Sequence, residues 1–234
     1  MGCDIHCYAE VKRGKKWVKV AKVFDNPYYD PKHKGKYSWN TPKTDQPYGD
    51  RNYDLFGILA DVRNGRGFAG CDLGDGFVPI AMPKGLPSDV SDKVKKISNE
   101  WGGDGHSHSY FTVDELLKYD WTQKSKLRGY IKSEQHRKWV ESGRGEPKGG
   151  YCGDVNGNNV IKVSNAEMEQ VLNKIEKEFI KTKTYKGVID YYTQIEWGMS
   201  YAEAVGRVFF DKTLPSLAKL GKSDKVRIVF WFDN

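Results

Sequence analysis

Residues 225–233 (KVRIVFWFD) constrain the fold more than any other segment. Side chains alternate across an extended strand. Val226, Ile228, Phe230 and Phe232 therefore take one face, and Val229 and Trp231 make the other apolar as well. A strand apolar on both sides needs cover on both, which makes it a central strand. The opposite end of the chain offers a partner. Cys3, Ile5, Cys7, Ala9 and Val11 alternate with Asp4, His6, Tyr8 and Glu10, and Gly14-Lys15 turns into a second strand over Lys16 to Phe24.

Between these ends the helical signals are spaced along the 234 residues. Leu55, Phe56, Leu59 and Val62 form a stripe over 53–63, closed by Asn64-Gly65. Val90, Val94 and Ile97 follow Pro87-Ser88 at helical spacing, and Thr112 with Glu115 makes a capping box. Val160 to Val163 reads as a short strand. Ser164 caps an amphipathic helix to about 182 whose Met168, Val171, Leu172, Ile175 and Phe179 face inward. Tyr185 to Trp197 is predicted as a long strand, and 200–220 as a helix that Pro215 kinks or breaks near Thr213. Long loops fall near 25–52, 64–87 and 143–159. The sum is α+β, a single domain over 1–234, with a mostly antiparallel sheet that holds the terminal strands and is covered by helices.

Seven Trp, 14 Tyr and 10 Phe exclude a disordered chain. No run approaches the length of a membrane span and no hydrophobic leader is present, so the expected setting is cytoplasmic. Of the four cysteines only Cys3 and Cys7 are close together, and these two read as small buried residues rather than a zinc site. The net charge of +7 is segregated. Residues 12–22 hold six basic residues and no acid, and 118–148 hold nine against four acids, leaving the remainder acidic. Such a field attracts phosphates. The modest total and the absence of a nucleic-acid motif favour a small anion over a long polynucleotide.

Three constellations could carry chemistry. If the first, long and last strands share a sheet, one polar face carries Asp4, His6, Tyr8, Glu10, Glu196, Arg227 and Trp231. In Gly105-His106-Ser107-His108-Ser109, an extended backbone points both imidazoles the same way. His106 and His108 could then act as acid and base on a phosphodiester, with His6 as a third catalytic group. With Asp4 and His6 they could instead hold zinc or manganese. Asp50-Arg51-Asn52-Tyr53, with Arg63 and Arg66 beyond the helix it opens, offers arginines for a phosphate clamp. No phosphate-binding loop, EF-hand or dinucleotide fingerprint occurs.

The segments MGCDIH, DRNYDLFGILADVRNG, HSHS and VRIVFWFDN, spread over nearly the whole chain, resemble a family of bacteriophage-encoded proteins of unassigned function. The resemblance implies a phage accessory protein acting in the infected bacterial cytoplasm against host defence, by sequestering or cleaving a nucleotide signal. It transfers no catalytic residues. The first expectation is a homo-oligomeric sponge for a small anionic nucleotide-like ligand, bound through Asp4, Arg51, Asn52, Tyr53, Arg63, Arg66, Glu196, Arg227 and Trp231 without a cofactor. A phosphodiesterase using His106, His108 and His6 is the alternative. A protein-partner inhibitor without a small ligand is a further one.

Overall fold

The closing strand lies inside the sheet that its sequence demands. The computed structural model describes residues 2–182 and 189–233, with the side chains of 178–182 left aside. The strands are β1 (Asp4–Arg13), β2 (Lys16–Lys19), β3 (Phe24–Asp25), β4 (Lys43–Thr44), β5 (His106–Thr112), β6 (Lys124–Lys132), β7 (Val160–Val163), β8 (Asp190–Ser200) and β9 (Val226–Asp233). The helices are α1 (Tyr53–Ala60), α2 (Asp92–Glu100), α3 (Val113–Lys118), α4 (Ser133–Glu141), α5 (Asn165–Thr182), α6 (Tyr201–Val205) and α7 (Leu214–Ala218). A π-helical turn, Val208–Thr213, precedes α7. The fold is α+β, with an antiparallel sheet that includes both terminal strands.

The single domain expected over 1–234 is built as two compact units: 1–62, 78–121 and 202–234 form the first, and 63–77 with 122–201 the second. In the first unit the order is β2-β1-β9-β5, with every neighbour antiparallel. All of β9 from Val226 to Phe232 is buried. One face of this sheet (Ile5, Cys7, Ala9, Ile228, Phe230, Phe232) packs toward α1, where Phe56 lies 4.9 Å from Phe232 between ring centroids. Asn52 caps α1 by accepting a hydrogen bond from the Leu55 N–H at 2.8 Å. Asp61 in the left-handed region then ends the helix, earlier than its apolar stripe implies.

In the second unit the order is β6-β8-β7, antiparallel on one side of β8 and parallel on the other. β6 lies within a tract read from sequence only as basic. Its lysines and arginine occupy one face, while Ser125, Leu127, Gly129 and Ile131 alternate onto the buried one. The predicted strand starting at Tyr185 is found over 190–200; residues 185–188, and the inward-facing side chain of Phe179, lie outside the described residues. The second hairpin strand is shorter than predicted, and Ser91 caps α2, which starts at Asp92, after Val90. Near Thr213 the chain stays helical, the π-helical turn running directly into α7 with Pro215 in its first turn, and the interruption falls earlier, at Gly206 with φ 76°. Among the described residues no helix is long and apolar enough to cross a membrane.

Candidate functional site

Sheet register decides which candidate residues meet. Asp4 stands opposite Asp233, His6 opposite Trp231, and Glu10 opposite Arg227. Directly opposed residues project from the same side, so these six share the face that the alternation predicted. Glu196 does not join them. It sits on β8 in the other sheet, which corrects the shared polar face expected from the three strands.

That face is largely covered rather than wet. Val94 and Ile97 of α2, with Leu86, Val90, Trp101 and Tyr110, pack onto Tyr8, Val229 and Trp231. Two residues expected to bind ligand are thereby buried. Trp231 is 0% exposed, and Arg227 is 3% exposed. The Arg227 Nε donates to Glu10 Oε2 at 2.8 Å and its Nη1 to Asp89 at 2.7 Å, while its guanidinium lies 4.0 Å over the Trp17 ring. Glu10 also accepts the Ser91 N–H at 2.8 Å. Reciprocal pairing makes burial of these charges tolerable. Alternation alone could not reveal it, because a strand's polar face looks the same whether water or another charged residue will meet it.

The end of the sheet near Asp4 remains partly open. Arg51 grips Asp4 through Nε at 2.8 Å and Nη2 at 2.7 Å, a bidentate pair with both side chains about half exposed. The guanidinium beside Asp4 holds that carboxyl below its ordinary value. Asp233 accepts the Asp4 N–H at 3.0 Å through one oxygen and lies 3.1 Å from His6 Nε2 through the other. The His6 ring packs against Trp101 with centroids 3.8 Å apart and planes tilted by 34°, and Trp231 lies beneath at 6.0 Å. Gly105 allows this assembly to close, since a Cβ there would stand 3.0 Å from the Trp101 Cβ and 3.4 Å from Trp231.

The two histidines of the HSHS segment are separated by a bulge. His106 pairs with Phe232 and Ser109 with Phe230, so an extra residue is accommodated between them, and Ser107 takes φ 52°. The imidazoles consequently leave from opposite faces instead of the same one. His108 stacks on Trp231 at 5.5 Å and meets Ser98 Oγ at 2.8 Å, and burial pushes its pKa down. His106 turns toward Phe232, its Nδ1 3.0 Å from Ser107 Oγ and its buried Nε2 without a hydrogen-bond partner. The joint acid–base role for His106 and His108 loses its geometry. So does the zinc or manganese alternative with Asp4 and His6. Among the described residues no group of three or more histidine, cysteine or acidic side chains is placed to hold a metal.

No family model, curated protein or solved structure matches the chain. The site therefore has to be read from its own geometry. Asn52 is absorbed by the fold: besides its capping bond, its amide donates to the Ala204 and Val205 carbonyls, each at 3.1 Å. Tyr53 accepts the Cys3 N–H at 3.3 Å. Arg63 and Arg66 belong to the second unit, where Arg63 donates to the Gly67 carbonyl at 3.4 Å and Arg66 lies 3.9 Å from Asp72. Glu196, also in that unit, faces Arg128 at 3.5 Å and Lys126 at 3.7 Å. The buried thiols of Cys3 and Cys7 serve as small core groups, and burial pushes the Cys7 thiol up.

Of the expected set, Asp4, His6, Arg51, Tyr53, His108 and Trp231 cluster at one end of the first sheet. Asp233, Trp101 and Ser98 join them without having been singled out. Asp233 was accessible in principle, since it continues the Trp231 face of the last strand. The Trp101 and Ser98 contacts depend on how α2 is laid over the sheet.

Proposed function

We propose that this protein binds a small anionic, nucleotide-type molecule as a sponge, at the open end of the first sheet. The observation carrying this reading is Arg51. Its guanidinium is half exposed yet held in a fixed orientation by Asp4, at the same end of the sheet as the packed His6 and Trp101 rings. A preoriented guanidinium suits a phosphate, and partly covered rings suit a base. The resemblance to phage-encoded proteins supports an accessory role in an infected cell, where depleting a host defence signal is the effect. A homo-oligomer is part of the proposal, and sedimentation measures it.

Incubation with cyclic dinucleotides and adenosine-ribose signals, then heat denaturation and chromatography, tests the reading. A sponge returns the intact molecule, and Arg51→Ala weakens its retention by about tenfold, the scale of a lost charge-assisted hydrogen bond. No depletion of any candidate by the wild type, or undiminished depletion by the variant, removes the proposal. One observation favours a second reading, cleavage. Asp233 meets His6 Nε2 as a carboxylate orients a general base. New nucleotide products that disappear in His6→Ala select that reading instead.

A further inference from the structure

The loop between β3 and β4 holds large aromatic rings in the open. Trp39 is 60% exposed, Tyr37 43% and Tyr28 65%. Tyr37 and Trp39 stack nearly parallel, with centroids 5.3 Å apart and planes 10° from one another. Folding ordinarily removes such rings from water, since a buried aromatic contributes a large apolar area.

Here the backbone beneath them is fastened instead. Asn26 donates to the Trp39 carbonyl at 3.1 Å and to the Thr41 carbonyl at 2.8 Å. Asn40, buried at the base of the loop, accepts the Asp30 N–H at 2.8 Å and donates to the Asp30 carbonyl at 2.9 Å. Asp30 in turn accepts the Lys32 N–H at 2.9 Å and meets His33 at 2.7 Å. The rings therefore sit on a prearranged support, which lowers the entropy lost when a ligand stacks on them.

The Tyr28 hydroxyl donates to Asp50 at 3.2 Å, but the charge along the segment that carries Tyr37 and Trp39 is one-sided. Lys32, Lys34 and Lys36 are exposed, with Asp30 as the single acid in 26–41. The Lys36 ammonium lies 5.3 Å over the Tyr37 ring. Alternating lysines beside stacked rings combine phosphate attraction with a platform for bases, the chemistry that holds single strands without reading their sequence. Lysine is depleted in protein–protein interface cores, which makes an acidic protein the weaker match.

We propose that this loop is a docking surface for a few nucleotides of single-stranded nucleic acid, with Trp39 and Tyr37 stacking bases and Lys32, Lys34 and Lys36 contacting phosphates. It is independent of the Arg51 site. A small surface of this kind suits a short single strand, not the long polynucleotide that the overall charge disfavours.

The probe is a fluorescein-labelled oligothymidylate of about twelve nucleotides, followed by anisotropy and tryptophan quenching at about 50 mM salt. Trp39→Ala and Tyr37→Ala are each expected to weaken binding by about tenfold. Lys32→Glu, Lys34→Glu and Lys36→Glu together lower the slope of log affinity against log salt by about two. Because these side chains are exposed, thermal melts of the variants should match the wild type. Arg51→Ala leaves this binding intact, so failure at one site is distinguishable from failure at the other. The proposal is overturned if the oligonucleotide fails to bind or if Trp39→Ala binds like the wild type. Equal competition by inorganic polyphosphate also overturns it, by reducing the effect to charge. Stronger competition by polyglutamate assigns the loop to an acidic protein instead.

Discussion

Arg227 and Arg128 make an instructive pair. Each sits on a sheet strand and each meets several carboxylates, but in different dielectric surroundings. In the first unit the Arg227 side chain is 4% exposed and that of Glu10 0%. In the second, Arg128 is 24% exposed and faces Asp72 at 3.0 Å, Asp75 in close contact and Glu196 at 3.5 Å, all three about half exposed. The Arg227–Glu10 pair is fastened into the core, with Asp89 about half exposed at its edge, so Glu10 cannot exchange its partner for water without stranding a charge. In the second the carboxylates are solvated although the Arg128 Nε is buried without a hydrogen-bond partner, and its ion pairs compete with water and salt through their exposed oxygens. The same residue types thus form an internal clamp in one place and a surface ladder in the other.

The largest predicted effect breaks the buried side of this comparison. Arg227→Ala leaves Glu10 buried without its main partner and should cost about 3–5 kcal/mol, read as a lower denaturant midpoint. Replacing both charges together, Glu10→Leu with Arg227→Met, should recover much of that loss, because an apolar pair no longer demands compensation. A double variant as unstable as the single would mean that the cluster matters for its shape, not its charge balance.

Acid probes the same covered face less severely. Burial lowers the pKa of His108 from the ordinary 6.5, so the native state resists a proton that the unfolded chain accepts. Its contribution to stability is complete above 6.5 and is lost as pH falls from there through the depressed native value. His136, in the second unit, is shifted in the same direction by burial. Urea melts between pH 7.5 and 5.5 should therefore show falling stability, with a shallower slope in His108→Asn. An unchanged slope in that variant would assign the acid sensitivity elsewhere.

The smallest effect is expected on the exposed side. Arg128→Ala should cost about 1 kcal/mol or less, and added salt should shrink the difference from the wild type. A loss as large as that of Arg227→Ala would erase the contrast between the two clusters.

The same contrast explains how much was legible beforehand. The 118–148 tract looked like an unbalanced basic field, but Lys126 and Arg128 face Glu196, Arg128 also meets Asp72 and Asp75, and Lys132 pairs with Asp190 at 3.0 Å. These acids come from chain segments distant in sequence, so counting charge along the tract overstated the field. β6 was missed for a related reason. Its lysines drew attention to charge, while Leu127 and Ile131 are too few to announce a period of two. Among the site residues, Asp4 and His6 were found through simple alternation. Asp233 continues the alternation of the last strand, but its meeting with His6 required the register between β1 and β9, and the divergence of His106 from His108 required the bulge at Ser107.

The sequence by itself determined that its last strand would be central and that the N-terminal strand would present Asp4 and His6 on one face. Both follow from the alternation of side chains along an extended backbone, a property of neighbours in the chain. Tertiary structure decided that β8 belongs to another sheet, that Arg227 and Trp231 are interior, and that Asp233 meets His6. Those outcomes depend on which surfaces bury one another, and burial is settled among residues far apart in sequence.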